Sequence, residues 1–324
     1  MTSFERLELL ASVADLYYIE RRSQAEIAQR FGYSRSTISR LLTEAHQRQL
    51  VEIRINHPLQ RDTDLEYALR DRFDLDTVLV SRRGSLEYER MLMQLGRMAA
   101  GYLDEVLDDP CLIGISWGTA VYEVVTAMRA RRLRGTQVVQ MIGGLGLGDQ
   151  QIDGPGVAMQ LAERLGGRYF TLNAPHIAAD EQTRDSLLSL RAIRESLQLA
   201  LKAQYAIVGI GSVDANRSSL LRTGYLTRRE LNAIKASGAV GDICGTHFDA
   251  KGNVLDIDIN HRVVGIDLKA LRSKPCRVVA VSGGRVKGPA IAGALQGNLI
   301  DVLITDSNAA EEVLAMSGRA HNKV

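Results

Sequence analysis

The sequence predicts an α/β protein: an N-terminal winged helix-turn-helix followed by a Rossmann-like α/β domain. Three observations carry this. Residues 24–44, QAEIAQRFGYSRSTISRLLTE, place two amphipathic helical patterns on either side of Phe31-Gly32-Tyr33, a gap that admits only a tight turn. Residues 50–56 then alternate strictly, with Val51, Ile53 and Ile55 against Glu52 and Arg54, the signature of a strand. From Cys111 onward, short runs apolar on both faces end in Gly/Ser/Thr turns and lead into helices, as in a parallel sheet covered on both sides.

Taken in order, residues 6–20 carry Leu7, Leu10, Val13, Ala14, Tyr17 and Tyr18 at helical spacing, a first helix that braces the pair. Ser23 with Glu26 three residues on forms a capping-box pattern. Ile27, Ala28 and Phe31 share one face of the second helix, and the small Ala28 permits close approach. Gly32 falls just past that helix, where a left-handed residue is least costly as glycine. Ser34 can cap the third helix, whose buried stripe is Ile38, Leu41 and Leu42. Arg35, Ser36, Thr37, Ser39 and Arg40 are left pointing outward. An apolar back and a front of Arg, Ser and Thr suit a helix that reads phosphates and base edges in a major groove. The strand that follows makes a small wing from which Arg54 can reach a phosphate. Pro58 disfavours helix at His57 and ends the periodicity, so the domains are placed at residues 1–57 and 58–324.

In the second domain, residues 59–73 and 87–106 read as helices, the latter with Met91, Leu92, Leu95, Met98 and Leu103 as its stripe. Residues 77–80, 111–115, 138–142, 205–210, 277–281 and 302–305 read as strands. Ligands of open α/β sheets bind at the carboxyl ends of the strands, where these loops fall. The loop Ser116-Trp117-Gly118-Thr119 precedes a helix expected over residues 120–131, whose free N–H groups and nearby hydroxyls would accept an anion or a hydroxylated group. Trp117, the chain's only tryptophan, could lie as a plate against a sugar ring. Asp242 can take two sugar hydroxyls, and Lys287 can face a phosphate, a hydroxyl or Asp242 itself. Residues 143–148, GGLGLG, fail the register of a dinucleotide fingerprint, and residues 282–288, SGGRVKG, lack the ending of a phosphate loop. His247 and His261 stand in polar turns and read as structural. No nucleophile-base set, paired carboxylates or metal cluster can be assembled, so no catalytic residue, cofactor or metal is assigned.

The 324 residues are 45% hydrophobic and 24% charged, an ordinary globular composition with net charge +2. Charge alone does not announce nucleic acid. Placement says more: five arginines (Arg30, Arg35, Arg40, Arg48, Arg54) stand against Glu44 and Glu52 around the helix pair. Cys111, Cys244 and Cys276 are far apart in apolar runs and read as buried small hydrophobes. No secretory signal and no apolar run of membrane-spanning length is visible, so the protein is expected in the cytoplasm.

These motifs together resemble the SorC family of sugar-responsive bacterial transcription regulators, also grouped with deoxyribonucleoside-type (DeoR) regulators. The resemblance runs nearly end to end. It rests on the helix-turn-helix, on the GISWGT, GGLG, GIGS and GDICG motifs beginning at Gly114, Gly143, Gly209 and Gly241, and on the last glycine loop. It implies a winged helix-turn-helix joined to an effector domain similar to sugar-phosphate isomerases and CoA transferases. It further implies a homotetramer that binds operator DNA and answers to a sugar, polyol or sugar phosphate. Effector contacts carry over to Ser116, Gly118, Thr119, Tyr122, Asp242, Phe248 and Lys287, with Trp117, Gly143 and Gly144 beside them. DNA contacts fall on Ser34, Arg35, Ser36, Thr37, Ser39, Arg40 and Arg54. Many members place a second hydroxyl residue after the Gly-Thr pair; here it is Ala120, which leaves room for an uncharged ligand. The rival reading is a sugar-phosphate isomerase or deaminase carrying an accessory domain, for which Asp242 would be the base.

Overall fold

The structure is a computed structural model that describes residues 3–48, 50–51, 60–83, 86–144 and 153–321. The chain divides into two compact units, Met1–Pro58 and Leu59–Val324.

The first unit is built from α1 (Ser3–Ala14), α2 (Gln24–Phe31) and α3 (Arg35–Gln47). Its short core is Leu10, Val13, Leu16, Ile27, Ala28, Ile38, Leu41, Leu42 and Ala45. The capping box at α2 is complete: Ser23 donates its N–H to Glu26 Oε2 at 2.8 Å, and Glu26 N–H returns to Ser23 Oγ at 3.3 Å. Gly32 ends α2 in the left-handed region at φ +68° and turns the chain. Ser34 then caps α3 by accepting from Thr37 N–H at 3.1 Å. Arg6 bridges α1 to α3 through Glu44 at 2.5 Å. Instead of one continuous α-helix over residues 6–20, α1 widens into a π-turn over Asp15–Ile19. The extra residue in that turn shifts the buried stripe onto Leu16, so Tyr17 and Tyr18 are only half-buried. The expected wing, apart from Leu50 and Val51, and with it Arg54, lies outside the described residues.

The second unit is a parallel sheet of seven strands wrapped by helices. The strands are β1 (Thr77–Ser81), β2 (Leu112–Ile115), β3 (Gln137–Gln140), β4 (Arg168–Phe170), β5 (Tyr205–Gly209), β8 (Arg277–Val281) and β9 (Val302–Asp306), with β6 (Gly241–Ile243) and β7 (Thr246–Phe248) forming a separate hairpin. The spatial order is β1-β9-β8-β5-β2-β3-β4. The helices are α4 (Thr63–Phe73), α5 (Tyr88–Val106), α6 (Thr119–Ala127), α7 (Gly154–Leu165), α8 (Glu181–Ser189), α9 (Arg191–Ala200), α10 (Ser219–Arg222), α11 (Arg228–Ala236), α12 (Asp258–Arg262), α13 (Leu268–Arg272), α14 (Gly288–Gln296) and α15 (Ser307–His321).

Burial follows the period of two along the central strands. On β8, Val278 and Ala280 enter one core and Val279 and Val281 the other. That two-sided burial is why these strands read as continuous apolar runs in the sequence. The chain runs from β2 outward to β3 and β4, then returns to lay β5 against the other side of β2. A crevice opens at such a switch point, at the carboxyl ends of the strands.

Two features lack the strand signal. β4 is an edge strand whose three residues are all exposed. The β6–β7 hairpin has strands of only three residues and turns through Cys244 and Gly245, both left-handed at φ 54° and 76°. Consecutive left-handed residues are the geometry of a tight two-residue hairpin turn, which usually selects Asn-Gly rather than Cys-Gly.

Leu41 is 1% exposed at the centre of the small first core. Leu41→Ala is expected to cost this unit about 2–5 kcal/mol. Circular dichroism on the full chain should show an early helical loss, while the Trp117 fluorescence transition of the second unit stays in place.

Candidate functional site

Three central strands, β8, β5 and β2, deliver their carboxyl ends to one cavity that opens to solvent. From β2 come Ser116, Trp117, Gly118 and Thr119; from β5 come Gly209, Ile210 and Gly211; from β8 come Ser282, Gly283 and, a turn later, Lys287. The hairpin contributes Asp242, Cys244 and Gly245.

Hydrogen bonds fix these loops. Ser116 N–H donates to Ile207 O at 3.0 Å, carrying the β2 ladder into the loop. Gly118 is at φ 125°, and no side chain caps α6, so the first N–H groups of that helix are left for whatever occupies the cavity. The glycine loop after β8 is held from beneath by Asp306, fully buried, which accepts from Gly284 N–H at 2.5 Å and faces Arg83 at 3.5 Å. Gly211 N–H donates to Asp242 O at 2.8 Å, and a side chain at Gly211 would collide with the Asp242 carboxylate. The absence of a Cβ there lets Asp242 lie across the strand end.

Lys287 is the central charge. It is 9% exposed, and its Nζ donates to Ile210 O at 2.7 Å. Burial pushes its pKa from 10.5 down to about 8, Asp242 and Asp214 oppose that shift, and Arg222 and Arg217 add to it. The two arginines line the same cavity. Arg217 lies over the ring of Tyr88 at 3.7 Å, and among the described residues neither guanidinium is paired with a carboxylate. Among the described residues, three cations therefore line the cavity against one carboxylate.

The wall opposite in character is aromatic and neutral. The Trp117 indole N–H donates to Gly143 O at 3.0 Å. Its ring meets His176 edge-on at 5.1 Å, and His176 meets Tyr225 likewise at 5.8 Å. Tyr225 Oη donates to Gly144 O at 2.7 Å.

Comparison with known proteins reads this arrangement. Residues 57–315 match the protein-family model described as "Putative sugar-binding domain", and residues 12–48 match "Sigma-70, region 4". The chain is 31% identical to the deoxyribonucleoside regulator of Bacillus subtilis, covering 96% of this chain and 98% of that protein. The crystal structure of the full-length sorbitol operon regulator SorC of Klebsiella pneumoniae matches with a TM-score of 0.71 at 27% identity, over 96% of this chain and 99% of that one. The chain belongs to the SorC family.

A DeoR family transcriptional regulator from Listeria monocytogenes gives a TM-score of 0.72 at 27% identity over 78% of this chain and 98% of that one. Like these relatives, the SorC-family chain is a DNA-binding transcriptional regulator with a sugar-binding domain.

Of the residues singled out for the effector, Ser116, Trp117, Gly118, Thr119, Asp242 and Lys287 meet in the cavity. Ala120 lines it too, at the position where a second hydroxyl was looked for. Four of the residues singled out do not line the cavity. Phe248 is fully buried in the core beneath β7, because alternation along the hairpin turns it away from Asp242. Gly143 and Gly144 do not line the cavity; their carbonyls hold the Trp117 and Tyr225 side chains instead. Tyr122 lies a turn into α6 and is partly exposed outside the lining. Arg217, Arg222, Tyr88 and His176 line the cavity without having been singled out. The segment after β5 follows a strand end, and that rule applied to residues 210–222 would have flagged the two arginines. On α3, Ser34, Arg35, Ser36, Ser39 and Arg40 are exposed and Thr37 is half-buried.

Lys287 keeps a charge that its surroundings disfavour. Because its folded-state pKa lies below the ordinary 10.5, the charge costs stability in full below about 8, and the cost is relieved as pH rises toward 10.5. Lys287→Met is therefore expected to stabilise the ligand-free protein at neutral pH by on the order of 1–3 kcal/mol. Urea denaturation of both proteins across that pH range should show the gap closing.

Proposed function

We propose that this regulator binds operator DNA through α3 and that its cavity takes a phosphorylated sugar or polyol, whose binding changes operator affinity. The cavity carries the second half of this reading: Lys287, Arg217 and Arg222 converge there with the uncapped start of α6, while Asp242 is the one lining carboxylate among the described residues. Unpaired guanidiniums and helix N–H groups are acceptor-seeking, and a phosphate monoester supplies charge and three acceptor oxygens at once. Asp242, an acceptor, suits the hydroxyls of the same ligand. Ala120 removes one hydroxyl donor, and the arginines replace it with charge.

The DNA half rests on the outward Arg35, Ser36, Thr37, Ser39 and Arg40, with Ser34 at the helix start, where a phosphate oxygen meets both hydroxyls and N–H groups. Arg54 is assigned to a backbone phosphate from the wing. We propose further that it works in the cytoplasm as a homotetramer and performs no chemistry on its ligand. The named relatives fit this class: they are a deoxyribonucleoside regulator and a sorbitol operon regulator.

Thermal-shift assays should compare sugars and polyols with their phosphate esters, since a ligand held only by the native state raises the melting temperature. Esters are expected to stabilise and their parent compounds to do so weakly or not at all. Arg217→Ala and Arg222→Ala should weaken the ester by about tenfold or more each, the worth of a charge-assisted contact. Equal stabilisation by parent compounds would refute the phosphate assignment. In gel shifts, Arg35→Ala or Arg40→Ala should abolish operator retention while the melting response to ligand survives. Asp242→Ala should do the reverse, keeping the operator and losing the response.

A further inference from the structure

His176 is 1% exposed, lines the cavity, and is among the described residues whose buried polar atoms lack a partner: its Nδ1 has no hydrogen-bond donor or acceptor in the protein. A buried ring nitrogen left unpaired costs about 1–3 kcal/mol, and native structures leave few of them without a reason. The ring is held firmly. Trp117 and Tyr225 meet it edge-on from two sides, Tyr225 Oη accepts the His176 backbone N–H at 3.4 Å, and the Gly245 backbone closes over Nε2 so tightly that no Cβ would fit. Trp117 and Tyr225 are in turn tied to the Gly143 and Gly144 carbonyls. The imidazole cannot swing away to find another partner. It also stays uncharged: burial, and then neighbouring His247, push its pKa from 6.5 down to about 3.

The two arginines of the cavity differ in depth from this ring. Arg222 is exposed and Arg217 half-exposed, whereas His176 is completely enclosed. A neutral imidazole has one donor nitrogen and one acceptor nitrogen. Whichever of the two roles falls to Nδ1, a hydroxyl can meet it, because a hydroxyl both gives and takes a hydrogen bond.

We infer that His176 is a specificity-determining residue that hydrogen-bonds a hydroxyl of the sugar or polyol on the Trp117 side of the cavity, while the phosphate stays with the arginines and Lys287. This rests on the cavity reading above and adds which part of the ligand is read, and by what. A site built to pair with a hydroxyl rejects the analogue that lacks it, because the site's own polar atom is then stranded. His176 is the atom so stranded in the empty cavity.

The test uses the full chain, with Trp117 fluorescence and melting temperature as readouts. The probes are inorganic phosphate and two pairs of esters that differ by one hydroxyl, ribose 5-phosphate with 2-deoxyribose 5-phosphate and glucose 6-phosphate with 2-deoxyglucose 6-phosphate. The variants are His176→Phe, which keeps the aromatic wall and removes both nitrogens, and His176→Asn, which keeps a polar atom near the place of Nδ1. In the wild type, one member of a pair should bind about tenfold or more tighter than the other. His176→Phe should erase that preference to within about twofold, with inorganic phosphate bound as before, and His176→Asn should restore part of it. Retention of the full preference in His176→Phe overturns the assignment. So does loss of inorganic phosphate together with the esters in both variants, which would make the ring a structural part of the wall. If the wild type binds inorganic phosphate and both members of each pair equally, the cationic reading stands and the His176 assignment falls. If it binds none of the probes, the cavity reading fails and this assignment with it.

Discussion

A lysine ammonium enclosed at the carboxyl end of a parallel sheet is the constraint around which the second unit is arranged. Taking such a charge out of water is costly unless good partners surround it. Here the Ile210 carbonyl accepts from Nζ, and Asp242 stands close enough to hold the pKa up against burial. Those partners are themselves positioned. Ile210 ends β5, Ser282 Oγ also donates to its carbonyl at 3.3 Å, and Asp242 lies where the side-chain-free Gly211 lets it lie. The switch between β2 and β5 supplies the crevice, and the buried Asp306 anchors the loop that carries Lys287. Burial of charge, glycine placement and strand order are thus one arrangement seen at three scales. Two unpaired arginines added to the buried cation leave an excess of positive charge that a ligand anion would neutralise.

The first unit answers a different need. Its core of small aliphatic side chains is shallow, so caps and one ion pair between α1 and α3 do much to define the angle at which α3 is presented. Phosphate contacts give orientation on DNA and base contacts give sequence choice, and a front of Arg, Ser and Thr can make both. A ligand in the second unit alters operator binding only to the extent that it binds two arrangements of the protein unequally. Contacts that grip a ligand from two sides, cations on one and His176 on the other, are well placed to be sensitive to small changes in cavity shape.

The sequence made the fold legible wherever burial was two-sided. Runs such as Arg277–Val281 and Val302–Asp306 are apolar on both faces because both faces are covered, and they were found nearly to the residue. It was least informative where strands are short and polar. β4 is exposed throughout, and the β6–β7 hairpin mixes Asp, Thr and His with a Cys-Gly turn. The site was legible through its glycine loops, since Ser116, Gly118, Thr119, Asp242 and Lys287 do converge. Residue type says least where a side chain's direction decides: Phe248 is one face away from the cavity, and the Gly143 and Gly144 carbonyls hold Trp117 and Tyr225, which no pattern of residue types reveals. Arg217 and Arg222 were hidden because a pair of arginines in a polar loop looks like any solvated surface until the strand ends are brought together.

The central claim, that a buried lysine awaits an anion, is tested most directly by counting protons. Calorimetric titration of a stabilising sugar phosphate at about pH 8.5, repeated in buffers of different ionisation enthalpy, reads proton exchange on binding. The free lysine is partly deprotonated there, because its pKa lies near 8. Bound phosphate would raise that pKa, so net proton uptake is predicted, and it should vanish in Lys287→Met. Binding with no proton uptake would contradict the account.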